Sequence, residues 1–234
     1  MKEIVRKVRK TLKQRSDTKT KASFQRFFKE QVKFHGVNSA TVGKTANEYY
    51  EKIKLLPKKE IFDLAEELLQ SGYCEEAWIA ASWVHKYANY EESDFAVYER
   101  WINSYIDNWA ECDTFCNHTV GDFIQKYPKC IAKLKKWAKS KNLWLRRASA
   151  VCLIVPAKEG KFLREIFELA DILLLDKEDM VQKGYGWLLK EASRTHEKEV
   201  FDYVVKHKAV VPRTALRYAI EKISPKLRAK AMAK

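Results

Sequence analysis

Residues 2 to 14 place Ile4, Val5, Val8 and Leu12 at helical spacing with Lys2, Arg6, Lys7, Arg9, Lys10 and Lys13 around them, which predicts an amphipathic basic helix. A second helix is expected from about Thr18, carrying Phe24, Phe27 and Phe28 among Lys21, Arg26 and Lys29 and ending near Gln31, ahead of a Phe34-His35-Gly36-Val37 turn. From Ser39 onward apolar residues recur three and four apart almost without interruption, with breaks at Pro57, Gly72, Pro128, Pro156, Gly160, Pro212 and Pro225. Ile61, Leu64, Ala65, Leu68 and Leu69 form a clean stripe. Ser93-Asp94 and Ser140-Lys141-Asn142 offer side-chain oxygens that cap following helices.

Above this local pattern lies a longer one. Small residues sit in corresponding helices at Ala77, Cys112, Ala148, Gly184 and Ala215, at intervals of 35, 36, 36 and 31 residues. A period of this length built from two helices is the mark of a helical-repeat solenoid, whose stacked second helices line one face. The expectation is an all-α right-handed superhelix of about six helical pairs. It is read as a single domain over 1–234, with residues 1–35 as basic helices capping the repeats. Only 7 Gly and 5 Pro in 234 residues argue against an all-β protein full of tight turns.

Charge narrows the function. With 45 Lys and Arg against 31 Asp and Glu the chain carries +14, which points to a polyanionic partner, most often nucleic acid. Residues 1–35 hold 12 basic and 3 acidic residues, so +9 of that surplus lies there. No apolar run approaches the length of a membrane span, and a soluble protein with no membrane partner is expected. Five cysteines, Cys74, Cys112, Cys116, Cys130 and Cys152, lack framework spacing and read as buried free thiols of a cytoplasmic protein. Cys112, Cys116 and His118 lack a second pair to complete a tetrahedral site, so no metal is expected.

The candidate chemistry starts at Trp109-Ala110-Glu111-Cys112-Asp113. Residues four apart share a helix face, so the Trp109 indole and the Asp113 carboxylate stack one above the other. An aromatic wall beside a carboxylate suits a cation. Arg147, with Arg146 beside it, and Trp187 lie on later helices of the same recurrence, so one solenoid face can carry all four. Lys183 and Arg194 are candidate groove-facing cations, and the basic and aromatic segment around Phe27 can grip a nucleic-acid backbone. Trp78, Trp83, Trp101, Trp137 and Trp144 are read as packing residues.

The segments Asn108-Trp109-Ala110-Glu111-Cys112-Asp113, Leu143-Trp144-Leu145-Arg146-Arg147-Ala148 and Val181-Gln182-Lys183-Gly184-Tyr185-Gly186-Trp187 resemble those of the AlkD-type DNA alkylation repair glycosylases, in order and at matching intervals. The resemblance extends to Phe27-Phe28-Lys29-Glu30-Gln31 and the turn that follows, and so covers most of the chain. It implies HEAT-like repeats with duplex DNA in a concave cleft, acting as a monomer without cofactor. It also implies excision of cationic N3- and N7-alkylpurines without base flipping. By position it makes Asp113 the catalytic carboxylate, Trp109 and Trp187 aromatic walls at the lesion's deoxyribose, and Arg147 or its neighbour Arg146 the phosphate ligand. The chain departs from the family at Ala110, where Asp is common. The alternative is a HEAT-like DNA-structure-binding protein that has kept the groove and lost catalysis; a scaffold for protein partners is opposed by the basic N-terminal helices.

Overall fold

The computed structural model describes residues 2–233, all helix, turn and loop apart from one isolated β-bridge between Lys33 and Tyr73. The chain divides into two compact units, Met1–Phe115 and Cys116–Lys234.

In the first unit, α1 (Lys2–Gln14) is the expected basic amphipathic helix, with Val5, Val8 and Leu12 fully buried. Helix α2 (Thr18–Gln25) starts where Asp17 accepts from the backbone N–H of Thr20 at 2.7 Å. It ends six residues before the expected Gln31, because the Gln25 side chain doubles back to donate to the Glu30 carbonyl (2.7 Å) and accept from Val32 N–H (3.2 Å). Then follow α3 (Ser39–Ile53), α4 (Lys58–Leu69), α5 (Cys74–Tyr87), α6 (Asp94–Tyr105) and α7 (Trp109–Thr114). Helix α4 buries Ile61, Leu64, Ala65, Leu68 and Leu69, the stripe its spacing predicts. Helices α3, α5 and α7 pack side by side as one layer, and α4 backs it against α5 with α6 beside it.

In the second unit the order is α8 (Gly121–Lys126), α9 (Ile131–Trp137), α10 (Leu143–Val151), α11 (Ile154–Lys158), α12 (Leu163–Leu173), α13 (Asp179–Ala192), α14 (Glu197–Lys206), α15 (Arg213–Ala219) and α16 (Pro225–Met232). Helices α10, α13 and α15 form one layer, with α9, α12, α14 and α16 behind it. Directly after α7 the chain passes through a π-helical turn, Phe115–Val120, all but its first residue within the second unit.

The recurring small residues mark the front layer of both units: Ala77 on α5, Cys112 on α7, Ala148 on α10, Gly184 on α13 and Ala215 on α15, all buried. Near Ala215 the helices approach closely. A Cβ on Gly186 would lie 2.8 Å from the Tyr218 Cβ and 2.9 Å from the Ala215 carbonyl oxygen, so α13 and α15 touch almost backbone to backbone. All five cysteines are buried free thiols, as their spacing suggests. Of the two proposed capping stretches, Asn142 caps α10 by accepting from Trp144 N–H at 2.8 Å, whereas Ser93 makes no capping bond.

Buried carboxylates tie the first unit together. Glu75 accepts the backbone N–H groups of His35 (3.0 Å), Gly36 (2.8 Å) and Val37 (3.1 Å). Glu76 bonds the His35 ring and the Arg9 guanidinium, both at 2.9 Å. Burial works to raise the Glu76 pKa, but these two partners outweigh it and hold the carboxyl below its ordinary value. Glu111 lacks such cations: burial, with the charge of Asp107 nearby, pushes its pKa up to about 8.

Two predictions follow from this packing. Gly186→Ala gains helix propensity worth about 1 kcal/mol but forces backbone atoms of α15 away, and is expected to lower stability by a net ~1–3 kcal/mol in a denaturant or thermal melt. Glu111 holds its proton to about pH 8 in the folded chain and gives it up near 4.5 in the unfolded one. Across that window the unfolded state binds fewer protons, so the stability contributed here falls as pH rises. Glu111→Gln should flatten that decline, as measured by stability at pH 5, 6.5 and 8.5.

Candidate DNA-lesion site

Helix α7 is short, and its position is set from its first residue. Asn108 is fully buried and accepts the Glu111 N–H at 3.1 Å, satisfying one of the donors a helix N-terminus leaves open. Cys112 then faces the core, and Trp109 and Asp113 are half-buried. Both line an open, largely apolar pocket of about 410 Å³, walled by Val42, Gly43 and Ala46 of α3, Trp78 and Ser82 of α5, and Ala110 of α7. Trp109 and Asp113 thus line one pocket within the first unit.

The aromatic environment is richer than the sequence suggests. Phe28 stacks on Trp109 with ring centroids 5.1 Å apart and planes 17° from parallel. Phe24 meets Trp78 edge-on at 6.1 Å. These four rings pack on a buried cluster of Val32, Phe34, Cys74 and Ala110. Ala110 is 8% exposed and belongs to that apolar cluster.

Two residues here were not picked out from the sequence. Trp78 was read as packing only, yet it lines the pocket, whereas Trp83, Trp101 and Trp137 are fully buried as expected. A signal was present, since Trp78 follows Ala77 as Asp113 follows Cys112, the same register in the repeat. Phe28 is the second: it covers a face of Trp109, while its neighbour Phe27 is 69% exposed and free to meet a partner.

In the second unit, Arg147 is only 5% exposed; its stem lies across Gly184, whose added Cβ would stand 3.3 Å from the Arg147 Cγ, and its guanidinium donates to the Met180 carbonyl. Gly184 thus makes room for Arg147 between α10 and α13. Arg146 is spent elsewhere, on Asp176 (2.6 Å) and on the carbonyls of Ser140 and Lys141, both at 3.0 Å. Trp187 is half-buried, three residues beyond Gly184 on α13. Lys183 pairs with Asp179 at 2.7 Å and Arg194 with Glu191 at 2.5 Å, both partly exposed. Trp109 and Asp113 therefore belong to one unit, and Arg146, Arg147, Lys183, Trp187 and Arg194 to the other.

The fold agrees with that of a known protein. No helix among the described residues is long and apolar enough to cross a membrane. No curated protein matches this chain. A solved structure described as a predicted DNA alkylation repair enzyme from Enterococcus faecalis is similar in fold, with a TM-score of 0.80 at 15% identity, over 90% of this chain and 98% of that one. The all-α repeat architecture is thereby shared with a protein of very different sequence. The sequence family described as DNA alkylation repair enzyme matches residues 8–223, nearly the whole length. The chain belongs to the DNA alkylation repair enzyme family.

Proposed function

We propose that this protein is a monofunctional DNA glycosylase that hydrolyses the N-glycosidic bond of cationic N3- and N7-alkylpurines in duplex DNA, without flipping the base. The observation that carries this reading is the placement of Trp109 and Asp113 on the wall of one open pocket. Family membership supports a DNA substrate, and the net charge of +14 supports binding to phosphate.

Alkylation at N3 or N7 gives the purine a positive charge and makes it a good leaving group. As the bond from C1′ to N9 breaks, its electron pair goes to the base and neutralises it, while the sugar becomes oxocarbenium-like. Water adds to C1′ and loses its proton, leaving an abasic sugar. The protein's main task is to stabilise the cationic sugar. A carboxylate about 4 Å from that charge, at an effective dielectric near 20, supplies roughly 4 kcal/mol, on the order of a thousandfold in rate. Each indole face adds about 0.5–2 kcal/mol. The Asp113 carboxylate dominates and also orients the water, with Trp109 as an aromatic wall beside it.

Phosphate contacts fall to Arg147, Lys183 and Arg194, with Phe27 at the N-terminal side. The Lys183–Asp179 pair is partly exposed, and a pair of that kind is worth about 0–1 kcal/mol, so exchanging the carboxylate for a phosphate costs little there, whereas Glu191, the partner of Arg194, is buried and keeps its need of a cation. Arg146 takes a different role, tying the start of α10 to Asp176.

If this chemistry holds, incubation with methylated duplex releases 3-methyladenine or 7-methylguanine, and Asp113→Asn lowers that release by about a hundredfold or more while binding to undamaged duplex stays equal or tightens. Equal release by wild type and variant removes Asp113 from the catalytic role, and release by neither replaces the enzyme with the DNA-structure-binding alternative. Arg147→Met keeps side-chain bulk beside Gly184 and removes the charge. It should weaken binding to damaged and undamaged duplex alike, and lower the slope of log affinity against log salt by about 0.9 in a titration from low to high salt.

A further inference from the structure

Arg146, Lys183 and Arg194 each have an acid beside them, but one row of cations in the first unit does not. Arg6, Lys10 and Lys13 of α1 are all exposed, and none of them makes a hydrogen bond or ion pair with another described residue. Spaced four and three apart, they fall within about 60° of arc and ~10 Å of helix axis, so one stripe carries all three. The acid on the same helix, Glu3, is held by Lys7 at 2.8 Å, and Arg6 acts on it only as a lesser neighbour. The stripe forms one side of an open hollow of about 590 Å³, which Arg9 and, from α4, Glu67 complete. Four cations therefore face one carboxylate, and Arg9 is already bonded to Glu76 (2.9 Å) and to the Glu67 carbonyl (3.0 Å). Like charges gathered in this way repel one another, and an anion entering the hollow relieves that repulsion.

The rest of α1 decides which polyanion fits. Its apolar face is spent, since Val5, Val8 and Leu12 are fully buried in the unit's own core, whereas an amphipathic helix that binds a lipid surface does so through that face. What α1 offers is a fixed row of charge, and a duplex offers the same, with one phosphate per about 1.7 Å of its axis. The hollow shares no lining residue with the pocket beside Asp113: that pocket is walled by α3, α5 and α7, the hollow by α1 and by α4 behind them. We infer that the α1 stripe is a second DNA-contacting surface, which takes the phosphates of a duplex segment other than the one at the Asp113 pocket. Three phosphate contacts make a weak, salt-sensitive site, its log affinity falling by about 2.7 per log unit of salt, or ~40-fold between about 50 and 200 mM. The chain can then hold a neighbouring segment while the first is engaged, and pass between segments without full release. The inference needs DNA as a partner but does not depend on glycosylase chemistry.

The test uses undamaged duplexes of about two helical turns, one carrying a donor and one an acceptor dye, with the full chain as wild type, as Arg6→Gln/Lys10→Gln/Lys13→Gln, and as the charge-keeping Arg6→Lys/Lys10→Arg/Lys13→Arg. All three positions are exposed on a helix and Gln is a good helix former, so far-UV circular dichroism and melting temperature should match wild type. At low salt, sedimentation should show two duplexes on one wild-type chain, with energy transfer between the dyes that salt abolishes. The Gln variant should bind one duplex, within about twofold of the first wild-type affinity, and show no transfer; the charge-keeping variant should behave as wild type. Two duplexes on the Gln variant overturn the inference, as does loss of its first duplex, which assigns the stripe to the segment at the Asp113 pocket. Wild type that holds one duplex or none, or that bridges two only as two chains, overturns it as well. Phosphatidylserine vesicles are the control for a lipid surface: if wild type binds them, the Gln variant does not, and the duplex count stays at one, the stripe belongs to a membrane and the inference falls.

Discussion

Two adjacent buried carboxylates at the start of α5 organise the first unit. Removing a carboxylate from water costs several kcal/mol, and the cost is recovered only when its lone pairs are filled by well-placed donors. Glu75 meets that condition with three consecutive backbone N–H groups from residues 35–37, and Glu76 with His35 and Arg9. The segment after α2 is thereby fixed to α5, and α1 to both. Phe28 lies on that segment and Phe24 on the last turn of α2 just before it, so their placement on Trp109 and Trp78 depends on the same tie. An electrostatic requirement far from any reacting atom thus sets the aromatic surroundings of the candidate catalytic helix.

The second unit relies on a steric device instead. Gly184 and Gly186 sit two apart on α13 and face different neighbours, Arg147 of α10 and Ala215 of α15. One leaves room for a long cationic side chain and the other for backbone. Both allow the front layer to close up without losing the wide residues, such as Trp187 and Tyr185, that share the helix.

Electrostatics at the surface are less one-sided than the net charge suggests. Arg146, Lys183 and Arg194 each have a carboxylate neighbour. In the proposed function Lys183 and Arg194 offer a phosphate cations already held in place, while Arg146 stays with Asp176. The arrangement suits reversible, sequence-independent contact with a duplex, because phosphates carry no base information.

Periodicity alone determined the helical class, the buried stripes of α1 and α4, and the small residues that mark the front layer, since all of these follow from 3.6 residues per turn and from the size of a side chain. It also put Trp109 and Asp113 on one side of a helix, because four residues make one turn. A period says which residues share a face but not what stands opposite, so the tertiary structure alone decided that Phe28 and not Phe27 stacks on Trp109, and that Trp78 belongs to the pocket wall while Trp83 belongs to the core. The same holds for charge and for glycine. Glu75, Glu76 and Glu111 look alike in the sequence, and only their buried partners separate two satisfied carboxylates from one whose pKa is driven up. Gly43 and Gly186 are both mid-helix glycines, and only the atoms across from them show that one has open space beside it and the other a backbone contact.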